Sequence, residues 1–178
     1  MNDPRIPRIV YGFLLAIGVL DGVRRYPLLP ARMASHFGPH GEVTNWQSRE
    51  QFFMTMLVVV GLSFVAGFVV PRLIGVLPAN MVNLPQKAYW LAAERREETL
   101  RYLSMKMGWF ACAVLFLLLF VAAEAINANM PSHGQFAIGA TFAVLCGFVA
   151  FMGIWTILLL RHFNRIPKPA FPEKRRES

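Results

Sequence analysis

The side chains with chemistry to offer stand at the ends of long apolar runs in this 178-residue sequence. The stretch LPARMASHFGPHGEVTNWQS, residues 29–48, carries His36, His40, Glu42 and Trp46. Asp21, Arg24 and Arg25 precede it, and Glu124 and His133 flank a second polar stretch, NANMPSHGQ. Imidazole nitrogens and carboxylate oxygens of this kind could ligate zinc or copper. Gly38-Pro39 between His36 and His40 argues against the helix that would set both rings on one face. These two histidines are therefore weak metal candidates, and neither a metal nor any other cofactor is expected.

A second chemistry is ligand binding. Asp21 and Glu124 sit at the edges of apolar runs, where an ionised carboxylate is costly unless it meets protein or a polar cavity. A structural ion pair with Arg24 or Arg25 would satisfy that demand. So would a pocket open to a ligand, a proton or a peptide. The pocket reading takes Asp21, Arg24, Arg25, His36, Trp46, Glu124 and His133 as its lining, with Asp21, Glu124 and His36 converging. His36 could also serve structurally, tying the loop to the helix ends through either ring nitrogen, with Trp46 as a second anchor. Enzyme signatures are missing: the sequence holds no HExxH, GxSxG, GxxxxGK[ST] or GxGxxG, and no enzyme activity is expected.

The elements that must position these residues follow from composition. Of the residues 56% are hydrophobic and only 16% are charged. Uncharged runs cover residues 52–70, 107–123 and 136–160. A hydrocarbon core about 30 Å thick needs roughly 20 apolar helical residues, so each run can span it, as a helix that satisfies its own backbone. Residues 9–20 form a shorter run. With Arg5 and Arg8 before it, the run also fits the plan of a secretory signal peptide, but no small-x-small site follows Leu20 at the usual distance. An uncleaved helix ending near Tyr26 makes four spans. The expected fold is all-α and integral to the membrane: one four-helix domain over residues 1–178, with an outer motif loop at 27–50, a loop at 71–106 and a basic tail at 161–178.

Sidedness follows from the basic residues. The amino terminus, middle loop and tail together hold 14 Lys and Arg, against 4 in the loop between the first two spans. The positive-inside rule then puts both termini in the cytoplasm and the residue 29–48 stretch outside. The formal charge of +8 is thereby explained as cytoplasmic flanks that attract anionic lipid headgroups, and nucleic acid is not an expected partner. The segment AAERREETLRYLSMKM reads as a helix running into the third span, with Glu97 and Arg101 four residues apart in the favourable order. Cys112 and Cys146 lie at depths differing by about 13 Å, too far for a disulfide. Gly139, Ala143 and Gly147 make a small-residue stripe, expected to pack inside the bundle and otherwise suited to a homo-oligomer.

Two ordered motifs carry a family resemblance. Leu29-Pro30, His36-Phe37, Gly41, Asn45-Trp46 and Ser48-Arg49 occupy the loop after the first span, and Asn83, Pro85, Tyr89 and Trp90 mark the middle loop. Together, over roughly residues 9–107, they resemble a bacterial family of small membrane proteins of unknown function that includes the SdpI-like toxin-immunity proteins. Asn45 stands where that family commonly has Asp, and Arg49 where it commonly has Lys; the immunity proteins also tend to carry further spans. The resemblance implies a multi-pass protein of the bacterial cytoplasmic membrane that binds or senses an extracytoplasmic ligand such as a peptide toxin. The alternative is a small accessory subunit packed against a larger membrane enzyme or transporter.

Overall fold

The computed structural model describes residues 3–78, 81–130 and 136–166. Four helices in it are long and apolar enough to cross a membrane: Arg5–Leu28, Arg49–Ile74, Ala93–Ala128 and Ile138–Asn164. The protein is a multi-pass membrane protein. His133 and the basic tail beyond residue 166 lie outside the described residues.

The first helix, α1 (Arg5–Arg25), tightens into a 3-10 turn at Tyr26–Leu28, where Pro27 enters. The chain then departs from the expected all-α plan. Strands β1 (Arg32–Phe37) and β2 (Val43–Ser48) pair antiparallel, with irregular register between Ala34 and Phe37. Gly41 has a φ of 83°, a conformation that a side chain would oppose, and it closes the turn between the strands. Ser48 ends β2 and begins α2 (Arg49–Phe64) through a reciprocal cap: its hydroxyl accepts from the Gln51 N–H, and the Gln51 side chain accepts from the Ser48 N–H.

The second span does not stop at Pro71-Arg72. A five-residue π turn, Val65–Val69, leads into α3 (Val70–Val76). Pro71 offers no N–H, and its ring crowds the carbonyl four residues back, so the widened turn just before it lets the helix continue. The Arg72 guanidinium donates to the Phe68 carbonyl at this point. After the one-turn α4 (Lys87–Trp90), the 36-residue α5 (Ala93–Ala128) runs unbroken. At about 1.5 Å per residue α5 is roughly 54 Å long, so it outruns the hydrocarbon, as expected of a helix that begins well before its apolar run. The fourth span is α6 (Ile138–Asn164).

Helices α1, α2 and α5 form the core, around Tyr11, Phe68, Ala111, Cys112 and Leu115. Lipid tails are as apolar as these side chains, so close approach and polar ties must supply the cohesion. A Cβ on Gly67 would sit 2.2 Å from that of Ala111, which shows how near the π turn comes to α5. Tyr11 donates to the Val60 carbonyl at 3.0 Å and shares a 2.7 Å hydrogen bond with Ser63. The Cys112 thiol donates to the Pro7 carbonyl, and Cys146 is exposed. Helix α6 leans on α5 and buries only Phe163. The expected packing of its small-residue stripe inside the bundle does not occur. Cβ atoms on Gly139 and Gly147 would meet nothing within 4 Å, and Ala143 is exposed.

Candidate functional site

At the hairpin end of the helices, polar groups gather over an apolar groove. On α1, Asp21 and Arg25 are four residues apart and pair at 2.8 Å. The same Arg25 donates to the Asn127 side-chain oxygen at 2.5 Å, which links the end of α1 to the end of α5. Below this pair lies a cavity of about 310 Å³ walled by α1, α2 and α5, with Gly18, Phe53, Leu119 and Ile126 among its lining. Among the described residues Asp21 is its one charged liner. A carboxylate at an apolar wall needs a partner, and Arg25 provides it.

The hairpin is fixed to this platform by groups other than the two anticipated. The Asn129 side chain accepts from the Ala34 N–H at 2.8 Å, donates to the Ala34 carbonyl at 2.9 Å, and donates to the Ala125 carbonyl at 2.7 Å. Met33 is wholly buried among Leu29, Phe52, Ala125 and Ile126. Arg49 lies over the Tyr26 ring at 4.3 Å and donates to the Tyr26 and Leu29 carbonyls, closing the end of the 3-10 turn. By contrast Trp46 is 48% exposed, with Arg32 over its ring, and His36 is exposed and hydrogen-bonded to Ser35. Neither acts as an anchor: Met33 and Ala34 are the strand residues buried against the platform, whereas the His36 and Trp46 side chains stay exposed.

The remaining sequence candidates separate. Helical spacing sets Glu124 on the face of α5 opposite Leu119 and Ile126, away from the groove that Asp21 lines. Arg24 is exposed, and His36 stands out on the hairpin. The structure thus brings together Asp21, Arg25 and Asn127, and it does not join Glu124 or His36 to them. Glu42 folds back within its own turn, where it accepts from the His40 N–H at 2.9 Å and crowds Gly38. Among the described residues no group of three or more His, Cys, Asp and Glu could hold a metal ion.

Asn127 and Asn129 are residues that sequence reading passed over, and Arg49 was noted there only as part of the Ser48-Arg49 motif. The signal for the asparagines was present in NANMPSHGQ, where two amides follow directly on an apolar run that points at the hairpin.

At the opposite end, aromatic rings knit α4, α5 and α6 together. The His162 ring stacks on Tyr102 at 4.0 Å and on Trp90 at 5.0 Å. The Trp90 indole N–H donates to the Phe163 carbonyl at 2.8 Å, and the Thr99 hydroxyl donates to that of Trp90.

Residues 13–62 match the model of a family described as domain of unknown function (DUF1648). This is the family the sequence motifs pointed to, and it includes the SdpI-like toxin-immunity membrane proteins. The DUF1648 stretch runs from α1 through the hairpin into α2, so it holds Asp21, Arg25, Met33 and Arg49. Asn127 and Asn129 lie outside it, as does the Tyr89-Trp90 segment. No curated protein and no solved structure matches the chain.

Proposed function

We propose that the protein is a non-enzymatic receiver of an extracytoplasmic ligand such as a peptide toxin, acting in immunity or stress response from the bacterial cytoplasmic membrane. The observation that carries this reading is the apolar groove of about 310 Å³ whose charged liner, Asp21, is tied through Arg25 to Asn127. A hydrophobic peptide would lay side chains in the groove while its polar backbone or terminus exchanges hydrogen bonds with the ion pair. Sites of this kind are concave, mostly apolar and equipped with few polar groups. The DUF1648 match supports the same reading.

In this proposal residues 27–50 face outside, while the 71–106 loop, the 161–178 tail and both termini face the cytoplasm. The uneven distribution of basic residues, 14 against 4, supports that sidedness. Single cysteines at Ser48 and Ser178, in a chain lacking Cys112 and Cys146, test it with an impermeant thiol reagent on intact cells. Labelling at position 48 alone is expected; labelling at 178 alone would reverse the orientation.

The ligand role is tested by expressing Asp21→Asn and Leu119→Trp in cells challenged with secreted peptide toxins. Both variants should lose whatever protection the parent chain confers, at unchanged membrane levels. Full protection by both would remove the groove from the mechanism. The accessory-subunit reading is favoured by one observation, the open small-residue face of α6, which could equally receive a second copy of the chain. Co-purification of a larger membrane protein, lost on Gly147→Leu, would favour the accessory role.

A further inference from the structure

A cavity of about 430 Å³ opens at the end of the molecule away from the hairpin, between α4, the first turns of α5 and the end of α6. Its lining is mixed in a specific way: Arg95 and Arg101, Glu98, and the aromatic residues Tyr89, Tyr102 and His162. We infer that this cavity binds a phosphodiester bearing a free ammonium group, the chemistry of a phosphatidylethanolamine headgroup.

Arg95 is held in place before any ligand arrives. Its Nε donates to the Tyr89 carbonyl at 2.9 Å, and its guanidinium lies 4.0 Å over the Tyr89 ring. That geometry leaves its two terminal nitrogens for a fork-like contact with phosphate oxygens. Arg101 spends one terminal nitrogen on Glu97 at 2.7 Å and is otherwise exposed. Glu98 makes no ion pair among the described residues and is the acceptor for a cation.

Charge balance decides the ligand class. A simple anion would be drawn to the arginines and repelled by Glu98, and a simple cation would meet the reverse. A zwitterion satisfies both signs at once.

The height of the cavity decides the source. His162 lies two residues beyond the apolar run of α6, and Tyr102 five residues before that of α5. At about 1.5 Å per residue these are roughly 3 Å and 8 Å outside the hydrocarbon, the depth of the headgroup layer. Basic pockets between helix ends at this depth are known headgroup sites. The inference is independent of what the groove at the hairpin end receives.

Thermal melting of the purified full chain in mild detergent tests it, with three probes: dihexanoyl-phosphatidylethanolamine, dihexanoyl-phosphatidylglycerol and soluble phosphoethanolamine. Glu98→Gln and Arg101→Gln, both at exposed positions, are the variants. The ethanolamine lipid should raise Tm most, and each variant should lose at least half of that rise while keeping the parent Tm without lipid. Glu98→Gln should instead improve the response to the glycerol lipid. An equal rise with soluble phosphoethanolamine would keep the chemistry and overturn the lipid source. An unchanged ethanolamine-lipid response in both variants, or no response in the parent chain, would overturn the site.

Discussion

Helices α1, α2 and α5 are joined along their length, whereas α6 is joined to the rest at points. The three-helix part has a buried glycine contact at Gly67, a Tyr11–Ser63 hydrogen bond inside the span, and a hairpin bolted on by Asn129. Helix α6 touches through Trp155 near Phe110 and the ring cluster around His162 and Phe163, and just ahead of it Phe136 stacks on Phe37 at 4.2 Å. Helix α6 is at least as apolar as the others, so hydrophobicity does not explain the closer joining of α1, α2 and α5. In lipid, cohesion comes from surfaces that approach closely and from polar groups that have no other partner. The three-helix part has both along its length, whereas among the described residues α6 has its hydrogen bond to another element near its end, at the Phe163 carbonyl, and inside the span a ring contact of Trp155 with Phe110. The candidate ligand groove belongs to the first part, and the cavity lined by Arg95 and Glu98 lies at the join between the two.

Substitutions should therefore fall into a graded series. The largest effect is expected from Gly67→Val, which drives branched carbon into Ala111 where even a Cβ has no room. Overpacking of this kind costs about 3 kcal/mol. A large fall in Tm in detergent is expected, against none for Gly61→Ala, whose Cβ would meet open space. Equal melting of the two would mean that the π turn does not set the helix spacing.

Next comes Asn129→Ala. It leaves the buried Ala34 N–H and carbonyl without their partner, at a cost of about 2–3 kcal/mol. Protease should then cut the hairpin faster, while the spans stay intact.

A smaller effect is expected at the other end. Trp90→Phe keeps the ring but loses the 2.8 Å hydrogen bond to the Phe163 carbonyl, worth about 1 kcal/mol. Hydrogen exchange should rise at the end of α6 and stay level in α1 and α2. A rise spread over all four helices would erase the distinction between the two parts.

The smallest effects belong to His36→Ala and Trp46→Ala, each within about 0.5 kcal/mol, since both side chains are exposed. A drop in Tm matching that of Asn129→Ala would restore them as anchors.

The four spans were legible because a membrane helix is a one-dimensional object: an uncharged run of sufficient length declares itself. The continuation of α5 from AAERREETLRYLSMKM into its apolar run was legible for the same local reason, whereas the Ser48–Gln51 cap, a reciprocal pair three residues apart, emerged only with the structure. The hairpin was half legible. GPHG between two six-residue polar segments is a turn signal, but with few buried positions the strands carry little alternation to read.

Pairings across the chain were not legible at all. Asp21 with Arg25 is local and could be anticipated from spacing, but Arg25 with Asn127 spans 102 residues, and Ala34 with Asn129 spans 95. The same holds for the separation of Glu124 from Asp21: both end an apolar run on one side of the membrane, and only the rotation of α5 about its axis turns one carboxylate from the groove. Sequence determined how many helices cross and which residues stand at their ends, because length and charge act on each segment alone. Tertiary structure decided which of those residues meet, because helix rotation is set by contacts such as Gly67 on Ala111 that no single segment contains.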